Sequence, residues 1–214
     1  MSDGSPPTDR ARWAAASRLW HAAVAVAVAA ALLVQVVLTL SGDGGAGLLR
    51  WLSYFTVQSN LLVLAAAATL AVRPDRDGRG WRVLRLDALL GIAITGVVYA
   101  TLLAPGVQPT GVDRWIDAVE HYAAPVATLA GWALFGPRPR LDRRTLLLAF
   151  AWPLAWVGWT FAHGAVTGWY PYPFLDAAAV GYPAALAATG TVLAAGVLLA
   201  ALLRAVEPRL PRRP

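Results

Sequence analysis

The chain has 214 residues, 58% of them hydrophobic and only 14% charged, and it contains no cysteine. Such apolarity lies outside the range of an ordinary soluble domain, and the missing cysteine excludes disulfides and thiolate metal sites. The formal charge of +6 rests on 18 basic residues, all of them arginine, whose placement argues for a membrane and against nucleic acid.

Taken in chain order, the opening MSDGSPPTDR holds turn formers without apolar periodicity, so residues 1–17 read as a disordered cytoplasmic tail. Six apolar runs follow, at Leu19–Leu40, Trp51–Val72, Ala88–Ala104, Trp115–Phe135, Thr145–Val166 and Ala177–Leu203. Each is close to the roughly 20 residues that cross a bilayer as a helix. The first is too long for a signal peptide and is followed by SGDGG, so it reads as a retained helix. Residues 207–214 form a second short tail.

The arginines alternate from one loop to the next. Arg10, Arg12 and Arg18 precede the first span. Arg73, Arg76, Arg79, Arg82 and Arg85 separate the second from the third, Arg138, Arg140, Arg143 and Arg144 the fourth from the fifth, and Arg204, Arg209, Arg212 and Arg213 follow the sixth. Only Arg50 and Arg114 fall in the other loops. The positive-inside rule then puts both termini in the cytoplasm. The expected fold is all-α: six transmembrane helices in one antiparallel bundle over residues 18–206, with short loops joining neighbours. The all-arginine usage, with abundant Ala, Gly and Pro, suggests a GC-rich bacterial genome and so a bacterial plasma membrane.

With that topology, the polar residues gather in the outer half. Thr56 lies about six residues into the second span, roughly 9 Å deep, and His121 sits equally deep in the fourth. Gln58, Ser59, Asn60, Asp117, Glu120, His163 and Asp176 share that half. Intramembrane ionisable groups face a bundle interior or a wet cavity, so one outward-opening pocket is expected. Thr56 and Asn60 are four apart on one helix face, as are Asp117 and His121. Pro125 removes the helical donor for the His121 carbonyl, and Pro153 and Pro183 break the fifth and sixth spans. A hydroxyl, an imidazole and a carboxylate fit a nucleophile, a base and its orienter.

Blander roles are available to the same residues. Thr and Ser in membrane helices bond back to their own carbonyls, and Asn60 and Gln58 can join helices. His163 can be an interfacial residue, and His21 beside Trp20 an interface anchor. Trp51, Trp81, Trp115 and Trp169 suit aromatic belts. Asp87, close to Arg85, reads as a cytoplasmic headgroup residue. A zinc site needs about three histidines or a substitute. Only His121 and His163 share a side, so zinc requires Asp117, Glu120 or Asp176 as well.

The segments RWLSYFTVQSN, IDAVEHYAAPV and GWYPYPFLD resemble the androgen-induced membrane protein family, in span number, order and loop placement from about Arg18 to Val206. The resemblance implies six-span threonine hydrolases that cleave fatty acid esters of hydroxy fatty acids. It implies Thr56 as the catalytic threonine and His121 as the catalytic histidine, and it matches Trp169, Tyr170, Pro171 and Asp176 to the stretch before the last span. The expected activity is a cofactor-independent lipid ester hydrolase acting on fatty-acyl esters from the outer side. Asp117 or Glu120 would orient His121, Asn60, Ser59 and Gln58 would support, and His163, Asp176 and Tyr170 would line the mouth. No obligate protein partner is expected. Two alternatives stay open: a non-enzymatic transporter or lipid-binding protein, and an intramembrane zinc hydrolase with no metal ligand set yet named.

Overall fold

A computed structural model describes residues 7–42, 44–136 and 141–210; Arg138, Arg140, Arg212 and Arg213 lie outside them. Most of the described residues are helical, with no strand among them. In order they form α1 (Pro7–Gly42), α2 (Gly44–Ser53), α3 (Phe55–Val72), α4 (Arg79–Val98), α5 (Gly111–Ala118), α6 (Ala124–Phe135), α7 (Arg143–Ala149), α8 (Ala151–Thr167), α9 (Ala177–Val180) and α10 (Tyr182–Val206). Wider π turns at Tyr99–Leu103 and Val119–Ala123 extend α4 and join α5 to α6.

Among the described residues, five helical stretches are long and apolar enough to cross a membrane: Asp9–Gly42, Phe55–Val72, Arg79–Gly106, Arg143–Thr167 and Tyr182–Arg209. The expected fourth span is continuous helix from Gly111 to Phe135 but is not among the five. Its first half carries Asp113, Arg114, Asp117, Glu120 and His121, which lower its hydropathy. The tail reading for residues 7–17 is corrected, because α1 already begins at Pro7. Proline at a helix start and an acidic residue in the first turn, here Asp9, both favour that boundary, and the Trp13 ring reaches Phe135 at 5.7 Å.

The packing is the inverse of a soluble protein. Large apolar side chains such as Leu19, Val26, Leu33, Val126 and Leu198 point outward. The interior holds many small residues, among them Ala31, Ala66, Ala67, Ala88, Ala124 and Ala185. Small interior residues let helices approach closely where lipid removes the hydrophobic incentive to associate. Helix α4 is the centre, packed against α3, α6, α7 and α10. Two close approaches define its position. An added Cβ at Gly91 would meet both Ser59 Oγ and the Trp152 ring at 2.9 Å, and one at Gly96 would meet Pro125 at 3.1 Å.

Helix α8 is tied to the end of α2 and the start of α3 by a row of indoles. Trp152 Nε1 donates to Gln58 Oε1 at 2.8 Å, Trp156 Nε1 to the Ser53 carbonyl at 2.9 Å and Trp159 Nε1 to Ser53 Oγ at 3.0 Å. Trp20 and His21 also turn inward, which corrects their reading as an interface anchor. Trp20 Nε1 donates to the Ala127 carbonyl at 3.0 Å, and His21 is buried with Nδ1 donating to the Ser17 carbonyl at 2.7 Å. The far end of the bundle is polar: Arg82 pairs with Asp77 at 2.8 Å, and the Leu141 N–H donates to buried Glu207 at 3.1 Å.

Trp152 cannot swing away from Gly91 without breaking its bond to Gln58. Gly91→Val is therefore expected to cost about 1–3 kcal/mol through overpacking, read as a lowered unfolding temperature in detergent.

Candidate active site

The site begins with a break that a continuous second span would not contain. Tyr54 adopts extended backbone (φ −70, ψ 131) between α2 and α3. Thr56 therefore falls in the first turn of α3, where backbone N–H groups have no partner within the helix. Its N–H donates to the Tyr172 hydroxyl at 3.2 Å, and its Oγ1 lies 3.3 Å from the same hydroxyl. Tyr172 comes from the loop between α8 and α9 and is buried. Burial pushes its phenol up to about 12, so it stays protonated and can donate.

His121 approaches from the other side. Its Nε2 is 3.5 Å from Thr56 Oγ1, the long edge of hydrogen-bond reach. Its Nδ1 is 3.0 Å from Asp117 Oδ1, the carboxylate one helical turn back on the same face. The ring stacks on Tyr99 with centroids 3.7 Å apart and planes at 14°. Both stacked residues stand in π turns, each closed by an N–H five residues on: Ala124 to Val119, and Ala104 to Tyr99. Pro105 and Pro125 follow directly. A proline cannot supply the α-helical donor, and π turns recur at functional sites. The expected kink at Pro125 is this widened turn. The chain also breaks at Phe150 and Gly181, just ahead of Pro153 and Pro183.

Other sequence-derived residues have different places. Asn60 is buried beside the pair, but its amide donates to the Thr56 carbonyl at 3.0 Å and the Glu120 carbonyl at 3.4 Å. It holds α3 to the π turn rather than aiming a donor at the hydroxyl. Ser59 is buried against Gly91 of α4. Gln58 faces α8, bonding Trp152 and donating to the Leu52 carbonyl at 2.9 Å. Glu120 is buried on the cavity wall, whereas it is Asp117 that meets the imidazole. His163 packs between Trp159 and Trp169, at 5.2 and 5.7 Å. Among the described residues no group of three His, Asp or Glu side chains is placed to hold a metal ion, so the zinc alternative gains no ligand set. Asp176 caps α9, accepting from the Ala178 and Ala179 N–H groups at 3.0 and 3.2 Å. Tyr170 rests on Gly164, and Tyr172, two residues on, takes the place at the hydroxyl. The repeated Tyr-Pro in YPYP was the signal for it, but alternation alone does not say which tyrosine turns inward.

Thr56 stands where two cavities meet. A polar vestibule lined by Arg50, Trp51, Glu120, His121 and Trp169 opens at this end of the bundle. An apolar slot runs from Thr56 and Tyr172 down the face of α4, between α8 and α10. Phe55, Ile94, Trp156 and Val192 are among its walls.

Residues 97–204 match the family model described as FAR-17a/AIG1-like protein. The chain belongs to the FAR-17a/AIG1-like family. This is the androgen-induced family that its segments resemble. The match includes His121, Asp117 and the Tyr172 loop, while Thr56 precedes it. No curated protein and no solved structure matches the chain.

Asn60 joins two elements through a buried amide. Asn60→Ala is expected to destabilise this FAR-17a/AIG1-like protein by about 1–3 kcal/mol, since it removes the buried amide that ties α3 to the Glu120 carbonyl. Thermal unfolding in detergent measures it.

Proposed function

We propose that this FAR-17a/AIG1-like protein is an integral membrane hydrolase of fatty-acyl esters, with Thr56 as nucleophile and His121 as base. The single observation that carries the reading is the Thr56 hydroxyl, in contact with both a carboxylate-paired imidazole and a buried phenol, at the meeting of a polar vestibule and an apolar slot. The Gly111–Phe135 helix supplies a sixth crossing in this reading, and the arginine alternation orients the bundle with both termini in the cytoplasm. The vestibule then faces the outer side of the membrane.

The chemistry follows from the geometry. Asp117 favours the tautomer with the proton on Nδ1, which leaves the Nε2 lone pair toward Thr56. Thr56 Oγ attacks the ester carbonyl carbon as its proton passes to Nε2. Tyr172 accepts from the Thr56 N–H, so its own proton is free to stabilise the carbonyl oxygen as charge develops there. Collapse breaks the bond to the leaving alcohol, which takes the proton from Nε2. Water from the vestibule then attacks the acyl-threonine carbonyl, giving its proton to Nε2. Release of the fatty acid returns that proton to Thr56 Oγ. The apolar slot suits the acyl chain, and the vestibule suits the alcohol side.

A lipid-binding protein without turnover is the second reading, and the slot alone favours it. The two separate on Thr56→Ala. For the hydrolase, a fluorophosphonate probe labels Thr56 in the wild type, and Thr56→Ala abolishes both labelling and lipid ester turnover. Labelling that persists in Thr56→Ala removes the nucleophile. Tyr172→Phe is expected to lower kcat by about 10²–10³, the effect of removing one oxyanion donor, with a much smaller change in KM.

A further inference from the structure

The apolar slot has a floor that an aliphatic chain alone does not require. Asp87 lies at its far end with Ala149, Phe150 and Gly196. The residue is 8% exposed, and its Oδ1 has no hydrogen-bond partner. Among the described residues no ion pair joins it to a cation. Arg85, two residues earlier, turns away to the Gly136 carbonyl. This overturns the reading of Asp87 as a headgroup residue beside Arg85. Thr95, two helical turns along the same face of α4, also lines the slot with an unpartnered buried hydroxyl.

A buried carboxyl oxygen without a partner is costly, and such a group in a native fold calls for an explanation. Water is a poor one here, because a buried water needs two to four polar partners and the walls around Asp87 are apolar. A ligand group fits better. Asp87 is 12 residues before Tyr99, or about 18 Å along α4 at 1.5 Å per residue, and Tyr99 stacks on His121. That span is of the order of a long acyl chain lying in the slot with its carbonyl at Thr56. The group at its far end must offer a proton and must also pass through an apolar passage. An ammonium fails the second condition through desolvation, and a second carboxylate repels the first. A hydroxyl meets both.

We propose that Asp87 forms a distal hydroxyl subsite, selecting acyl chains that carry a hydroxyl near the far end, which donates to the Asp87 carboxyl. The subsite rests on the slot being the acyl site, as in the proposed function. Thr95 offers a further polar contact partway along the chain.

The test uses the full chain in lipid nanodiscs, with para-nitrophenyl esters of palmitate and of ω-hydroxypalmitate. The wild type is expected to prefer the hydroxylated ester by about tenfold or more in kcat/KM, because a site built to bond a hydroxyl discriminates against its absence. Asp87→Leu is expected to bring that ratio close to one, and Asp87→Asn, which keeps an acceptor, to retain part of it. Equal kcat/KM for the two esters in the wild type overturns the subsite whatever the variants do. Should neither ester turn over, the hydrolase reading falls and binding decides this one. Displacement of a bound fluorescent polyene fatty acid about tenfold more tightly by ω-hydroxypalmitate than by palmitate supports the subsite, and equal displacement overturns it.

Discussion

In an apolar bundle, a backbone N–H released from its helix must find another partner, because lipid offers none. The candidate site of this protein is organised around that constraint. The α2–α3 chain leaves helical geometry at Tyr54, and the helices on either side of the cavity open into π turns ahead of Pro105 and Pro125. All three irregularities lie at one end of the bundle and line or adjoin one cavity. The Thr56 N–H, freed by the first, rests on the Tyr172 phenol. The two π turns present Tyr99 and His121 to each other as a stacked pair. Irregular backbone at this depth is tolerated where it borders a cavity, and here it positions the polar groups that the cavity exposes.

The surrounding helices hold these groups still. Three indole N–H groups on α8 bond to Gln58 and Ser53, which anchors the start of α3. Gly91 and Gly96 let α4 close on Trp152, Ser59 and Pro125. Asn60 links the Thr56 and Glu120 carbonyls, so the first turn of α3 and the π turn bearing His121 move together. The family match covers the His121 side of the site and the Tyr172 loop but ends short of α3. Only these contacts bring Thr56 into the same chemical unit.

The polar and apolar cavities differ in what they can accept. The vestibule carries Arg50, Glu120 and two tryptophans and can admit water. The slot has apolar walls interrupted by Thr95 and Asp87 along one face of α4. A substrate with a polar end and a long chain matches that division, which is the basis for reading this FAR-17a/AIG1-like protein as a lipid ester hydrolase.

Much was determined along the chain. Apolar runs of bilayer length, the arginine alternation and the helical spacing of Thr56, Asn60, Asp117 and His121 follow from local composition and from the fixed rise of an α-helix. They were enough to bring a hydroxyl, an imidazole and a carboxylate to one depth. Rotation about each helix axis is another matter. It depends on which neighbour each face packs against, and periodicity carries no record of that. Tertiary packing therefore decided that Gln58 turns to Trp152, that His163 joins an aromatic cluster and that Asp176 caps a helix. It also chose Tyr172 over Tyr170 and turned Asp87 into the slot. Small helix-facing residues and proline-widened turns set those rotations, because in the absence of a hydrophobic drive between helices, close steric fit and buried hydrogen bonds choose which faces meet.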